Sequence, residues 1–242
     1  MPGEFGFKEK LIHKVSEFWP VDEALQKRAE WFIDNSDFEK YFKEGGQYLD
    51  VGAGKGHIVQ RVLADMEKLG TSLKAYYGID VADKPLKKVQ KRESARLQKV
   101  SKEGMGKNPM GFSFATAEDL PFQDGSLDGV SYIFSIHHMD KNKLNKVMQE
   151  SKRVLKKDGY IFIAEDLVDA EKQKKITEKR DRQLNWESKD AEHNYKSDQE
   201  WGEYFDGMGF DVVERDFFES ETKKGPIPHG FYVLRLKKEM NK

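Results

Sequence analysis

The sequence predicts an α/β protein: a mostly parallel seven-stranded sheet covered by helices, with an antiparallel C-terminal strand and an N-terminal helical appendage. Three observations predict it. Short apolar runs alternate with segments of helical period from Gln47 to Leu167, as in a parallel sheet with crossover helices. A glycine turn, "DVGAGKG", stands between the first such run and the helix after it. Two apolar runs near the C-terminus are joined by Gly and Pro with no helix between them, which makes them an antiparallel pair.

Taken in order, Leu11, Val15, Phe18 and Trp19, then Leu25, Ala29, Phe32 and Ile33, recur at helical spacing. Phe38, Tyr41 and Phe42 add a short third piece that Gly45 and Gly46 close. Residues 1–46 therefore read as a helical cap, and 47–242 as one domain. Strands are expected over Tyr48–Val51, Ala75–Val81, Phe112–Thr116, Leu127–Ile136 and Tyr160–Leu167. The helix after the glycine turn buries Ile58, Val59, Val62, Leu63 and Met66. The next, from about Pro85, turns Leu86, Val89, Leu97 and Val100 inward and Lys84, Lys87, Lys88 and Lys91 outward as a solvated face. Leu144, Val147, Met148, Ser151 and Leu155 mark a further helix. A charged insertion at about 169–196 has weak periodicity. Ser197 and Glu200 then form a capping box for a helix with Trp201, Phe205 and Met208 inward, and strands follow over Phe210–Phe218 and Phe231–Leu236.

Composition narrows the function. A chain of 242 residues with 37% hydrophobic content can bury one substantial core. Its net charge of -1 gives no global attraction to nucleic acid or to an anionic membrane. With no cysteine, disulfides, thiolate metal sites, iron–sulfur clusters and cysteine nucleophiles are all excluded, and no metal is expected. No long apolar run is present, so a cytoplasmic protein without membrane insertion is expected.

The glycine turn carries the ligand. Gly52, Gly54 and Gly56 let the chain turn sharply and let a ligand meet bare backbone. A phosphate loop needs Ser or Thr after its Lys, but Gly56 follows Lys55. A dinucleotide turn has its third glycine one place later than here, and Asp50 would face the pyrophosphate. An acid at that place suits a cation. S-adenosylmethionine carries an ammonium and a sulfonium, and Asp50 can serve its amino-acid end directly or through water.

From these residues the chain resembles a class I S-adenosylmethionine-dependent methyltransferase, of the small-molecule branch with a type 11 domain and a Rossmann-like fold. The resemblance covers roughly 47–236. "LDVGAGKG" resembles the first motif, which implies that Asp50, Gly52, Ala53, Gly54 and Gly56 line the cofactor. Asp80 and Val81 resemble the segment that holds the ribose, although an acid there is also a candidate helix cap. "ATAEDLPF" resembles the segment framing the adenine, through Thr116, Ala117 and Glu118; Thr116 stands where an Asp is common. "YIFSIHHM" resembles the strand and loop beneath the sulfonium, with Ser135 against the cofactor. "RVLKKDGYIFI" resembles the helix end and fifth strand, with Asp158-Gly159 as a turn.

The sulfonium is an activated methyl donor, so the protein chiefly aligns the acceptor, and a base is needed where the acceptor loses a proton. His137 and His138 follow the fourth strand at the sheet edge where such folds bind ligands. Two roles are open to them: catalysis as that base, or packing by His137 with His138 capping the next helix. Trp31, His193, Tyr195 and His229, the last in the loop "PIPHG", are the candidates for the acceptor pocket, or ordinary anchors. Without cysteine the chain is no cytosine C5 or arsenic methyltransferase, and "SIHHM" lacks the pattern of an adenine amino-methylating enzyme. The resemblance implies a small-molecule oxygen, nitrogen or carbon acceptor, with a protein or RNA acceptor, or a non-catalytic binding module, as alternatives.

Overall fold

A computed structural model describes residues 38–54, 56, 58, 62, 70–71, 73–81, 110–185, 193–220 and 227–238. The helices expected before Phe38, including Trp19, Trp31 and Phe32, lie outside the described residues. So do the lysine-rich helix from Pro85 and most of the helix after the glycine turn.

Seven strands form one sheet: β1 (Gln47–Val51), β2 (Ala75–Asp80), β3 (Met110–Phe114), β4 (Leu127–Ile133), β5 (Leu155–Asp166), β6 (Phe210–Ser220) and β7 (Ile227–Leu236). Their order is β3-β2-β1-β4-β5-β7-β6. The pairs from β3 through β5 are parallel, and β7 runs antiparallel to both β5 and β6. The strand order reverses direction between β1 and β4, the switch point outside whose carboxyl ends open α/β sheets bind ligands.

Among the described residues, three helices accompany the later strands: α1 (Lys141–Val154), α2 (Glu171–Asn185) and α3 (Asp198–Gly207). Asp140 starts α1, its carboxylate accepting from Asn142 N at 2.8 Å and Lys143 N at 3.0 Å. The expected capping box starts α3: Ser197 Oγ accepts from Glu200 N at 3.2 Å, and Glu200 Oε2 from Ser197 N at 2.7 Å. α2 gives ordered structure to much of the charged insertion.

Each sheet face has its own core. On one, Leu49, Val51, Val130, Tyr132, Ile161 and Ile163 meet the inward stripe of α1 together with Trp201 and Phe205 of α3. On the other, Tyr48, Tyr76, Phe162, Ala164, Phe231 and Val233 pack with Phe42 and Ile58. Phe42 stacks on Tyr48 with ring centroids 4.1 Å apart, which anchors the chain leading into β1. Burial of such large side chains, each worth about 1.5–3 kcal/mol, fixes which face every strand residue points to.

Several boundaries differ from expectation. β4 stops at Ile133, because Phe134 takes φ 52 and leaves the sheet, and a short 3-10 turn, Ile136–His138, replaces its expected end. β3 runs Met110–Phe114 rather than on to Thr116, whose carbonyl accepts from Asp119 N in a turn. β5 begins at Leu155, and Asp158-Gly159 lies in a register irregularity between Leu127↔Leu155 and Gly129↔Tyr160 instead of a separate turn. β7 begins at Ile227, so Pro228 and His229 belong to a strand that extends along β5.

Candidate cofactor and acceptor site

The glycine turn after β1 is held by the ends of its neighbours. Gly52 N and Ala53 N both donate to Ile79 O, at 2.9 and 3.0 Å, and Gly54 N donates to Asp80 Oδ2 at 2.8 Å. Gly52 and Gly54 take φ values of 78 and 47, the left-handed region that glycine enters without strain. A side chain on Gly52 would also put its Cβ 3.0 Å from Ser135 Cβ. The turn after β1, the end of β2 and the exit of β4 therefore converge, with Gly52 exposed.

Asp50 lies beneath this turn and is 2% exposed. Burial, then the neighbouring charge of Asp80, pushes its carboxyl up to about 7, while the Ser131 hydroxyl, 2.7 Å away, opposes the shift. A cation over the turn would relieve both carboxylates. With bare backbone at Gly52 and Gly54, this donor set fits S-adenosylmethionine, an organic cation with a diol.

Beyond β3 the chain turns through Thr116 and Glu118. Thr116 is exposed, Ala117 buried, and Glu118 half-buried with Lys143 Nζ 3.7 Å from its carboxylate. Val81, after Asp80, is exposed. Arg153 fastens this segment: Nη2 donates to Leu120 O at 2.9 Å and Nη1 to Phe122 O at 2.8 Å. Glu150 completes the tie, accepting from Leu120 N at 2.9 Å and from Arg153 Nη2 at 2.7 Å, which holds its carboxyl below the usual range.

The histidines of the β4 exit have separate environments. His137 is 1% exposed, and its Nδ1 meets Oε2 of Glu165, itself fully buried at the end of β5. Glu165 Oε1 accepts from Ser135 N at 3.0 Å and Ile136 N at 2.8 Å, the amides that open the 3-10 turn. His138 is half-buried, its ring centroid 3.9 Å from that of His137. It does not cap α1, as one reading of the sequence had it, because Asp140 does.

Two of the expected pocket residues join this cluster. Asn194 N donates to His137 O at 2.7 Å, and Tyr195 stacks on His137 with centroids 5.0 Å apart and planes at 19°. The His193 ring lies 5.2 Å from both His138 and Tyr195. His229 does not join it. It is 2% exposed within β7, opposite Asp166, with which its Nδ1 makes an ion-pair contact. Successive residues of a strand face opposite sides, so Glu165 and Asp166 send their carboxylates to the two faces of β5. The Phe134 and Phe218 rings flank His229 at 5.5 and 4.5 Å. Trp31 lies outside the described residues. Glu165, Asp166 and Phe134 escaped the sequence reading, although an acidic pair ending the apolar run "YIFIAED" was a signal that could have marked two of them.

Residues 49–163 match the model of a methyltransferase domain family. An O-methyltransferase of Aspergillus sclerotiorum is 29% identical over 126 residues, which span 52% of this chain and 42% of the fungal protein. A solved S-adenosylmethionine-dependent methyltransferase of Methanosarcina mazei shares the fold, with TM-score 0.61 at 19% identity over 83% of this chain and 97% of that one. So does a methyltransferase in complex with the Trm112 methyltransferase activator of Haloferax volcanii, with TM-score 0.66 at 15% identity over 98% of this chain and 100% of that one. Domain match, strand order and glycine turn agree: residues 49–163 match a methyltransferase domain, on a fold shared with solved S-adenosylmethionine-dependent methyltransferases.

Proposed function

We propose that this protein methylates a proton-bearing oxygen, nitrogen or carbon atom of a small molecule, with His137 as the base. The observation that carries this reading is the place of His137: two residues after Ser135, which packs on the glycine turn, and against a buried carboxylate. When bound, S-adenosylmethionine supplies a methyl group whose carbon–sulfur pair departs with the cationic sulfur, while the acceptor's electron pair forms the new bond to carbon and its proton is left to the protein. Nε2 of His137 takes that proton, and the Glu165 carboxylate offsets the charge of the imidazolium that results.

The remaining roles are those that the resemblance implies. Asp50 faces the cationic end of the cofactor, and Asp80, with Val81 beside it, faces the ribose. Gly52, Ala53, Gly54 and Gly56 offer backbone, Thr116, Ala117 and Glu118 frame the adenine, and Ser135 separates cofactor from base. His138, His193 and Tyr195 wall the acceptor side, and His229, held against Asp166 on the other face, takes no part in it. An oxygen acceptor draws support from the fungal relative's name. No helix among the described residues is long and apolar enough to cross a membrane.

A second reading, methylation of a protein or RNA together with an activator subunit, has one observation in its favour, the neighbour bound to Trm112. Calorimetry tests the cofactor: S-adenosylhomocysteine should bind at least about tenfold more tightly than NADH or ATP. Methyl-labelled cofactor mixed with fractionated metabolites tests the acceptor. Label in a small molecule, lost by about a hundredfold or more in His137→Ala with cofactor affinity kept, is expected. Label appearing only in protein or RNA would replace this reading with the second.

A further inference from the structure

We propose that Glu165 is the positioning residue for His137: its carboxylate fixes the ring with the proton on Nδ1 and leaves Nε2 as the acceptor. The inference rests on the reading of His137 as the base, and adds the residue that makes one nitrogen of the ring competent.

Glu165 is fully buried, and a carboxylate there needs donors. Its partners divide between its two oxygens. Oε1 accepts from Ser135 N at 3.0 Å and Ile136 N at 2.8 Å, while Oε2 faces His137 Nδ1. An ionised carboxylate only accepts, so Nδ1 bears the hydrogen and the neutral ring keeps its lone pair on Nε2. The ring cannot swing away. Tyr195 stacks on it at 5.0 Å, His138 lies against it at 3.9 Å, and Asn194 N holds the His137 carbonyl at 2.7 Å. Among the described residues, Glu165, His138, His193 and Tyr195 are titratable groups that face the ring.

The same geometry decides what Glu165→Gln does. Two backbone N–H groups already point at the Oε1 position, so the amide oxygen of Gln must sit there. Its NH2 group then faces Nδ1 and donates to it, which forces the ring proton onto Nε2 and removes the lone pair the acceptor needs. A side chain of nearly the same shape thereby reverses the tautomer.

Nitrogen-15 NMR of histidine-labelled full-length protein reads this without any acceptor, with His137 assigned by its loss in His137→Gln. At pH 8 the wild type is expected as the Nδ1–H tautomer and Glu165→Gln as Nε2–H, with affinity for S-adenosylhomocysteine within about twofold. On an acceptor, Glu165→Gln should lose about a thousandfold in turnover, as expected for a base held in the wrong tautomer, and Glu165→Asp should recover part of it. A wild-type ring found as Nε2–H or doubly protonated at pH 8 overturns the proposal, and that measurement stands even if Glu165→Gln does not fold. An unchanged ring in folded Glu165→Gln overturns it too. Failure of the base reading looks different: the tautomer reverses as expected, yet His137→Ala transfers methyl groups at the full rate.

Discussion

Ser131 Oγ donates a 2.7 Å hydrogen bond to Asp50 Oδ1 across a register pair of β4 and β1. Among the described residues it is the one side-chain hydrogen bond to a carboxylate that is 2% exposed and whose pKa is pushed up to about 7, chiefly by burial. The unfolded chain, with an ordinary Asp, releases this proton near pH 4. Between about pH 4 and 7 the folded state therefore binds more protons than the unfolded one, and stability falls as pH rises through that window. A cationic ligand favours the ionised form, so cofactor affinity moves the other way.

From pH 6 to 8, affinity for S-adenosylhomocysteine should rise by about tenfold in wild type and stay nearly flat in Asp50→Asn, once the ligand's own ionisation is subtracted. Asp50→Asn should also melt higher at pH 8, having no charge to bury. Equal pH profiles for the two proteins would remove Asp50 from the cofactor site.

Asp80 both accepts from Gly54 N at 2.8 Å and faces the proposed ribose position. Asp80→Ala should weaken cofactor binding by about 2–4 kcal/mol, since hydroxyl bonds to a carboxylate are charge-assisted. Asp80→Asn can keep the Gly54 contact through its amide oxygen and should lose less. Unchanged calorimetric affinity in a folded Asp80→Ala protein would reduce Asp80 to a tie for the glycine turn.

Gly52 has φ 78, and an added Cβ would lie 3.0 Å from Ser135 Cβ; Gly45 has φ 67 with nothing within 4 Å. Both Gly→Ala changes should cost about 1–2 kcal/mol of stability through the left-handed backbone. Only Gly52→Ala should also weaken cofactor binding, by displacing Ser135. Calorimetry and thermal melting of the two variants check this; equal affinities would separate the turn from the ligand.

On the α1 side of the sheet, Ser151 Oγ donates to Val147 O at 2.9 Å, so the buried Tyr132 hydroxyl, 2.6 Å away, is the donor to Ser151 Oγ. Ser151→Ala leaves that hydroxyl unpaired and should cost about 1–3 kcal/mol in denaturant unfolding. Adding Tyr132→Phe should recover most of the loss, giving a coupling that additive effects would exclude.

What the sequence by itself determined were the features set by local chemistry. The strand, glycine turn and helix rhythm, the acids ending "YLD" and "YYGID", the Ser197 capping box and the inward stripe of α1 all depend on residue types a few positions apart. The fold was legible for that reason. Arg153 was legible as part of a motif, but not as the tie that holds Leu120 and Phe122.

The histidine cluster was decided by tertiary structure. Glu165 meets His137 from 28 positions away because β5 pairs with β4 in one register, and a shift by one residue would send its carboxylate to the opposite face, where Asp166 meets His229. His193 and Tyr195 reach His137 only because the insertion returns to it, through Asn194 N on the His137 carbonyl and Val168 N on Lys196 O. His229 was expected in a loop and lies in a strand because β7 pairs with β5 as far as His229 and with β6 on through Pro228 to Ile227. Residue type specifies what a short stretch of backbone can do. Which distant side chains meet is fixed by strand register and by the packing of both faces, which no local pattern encodes.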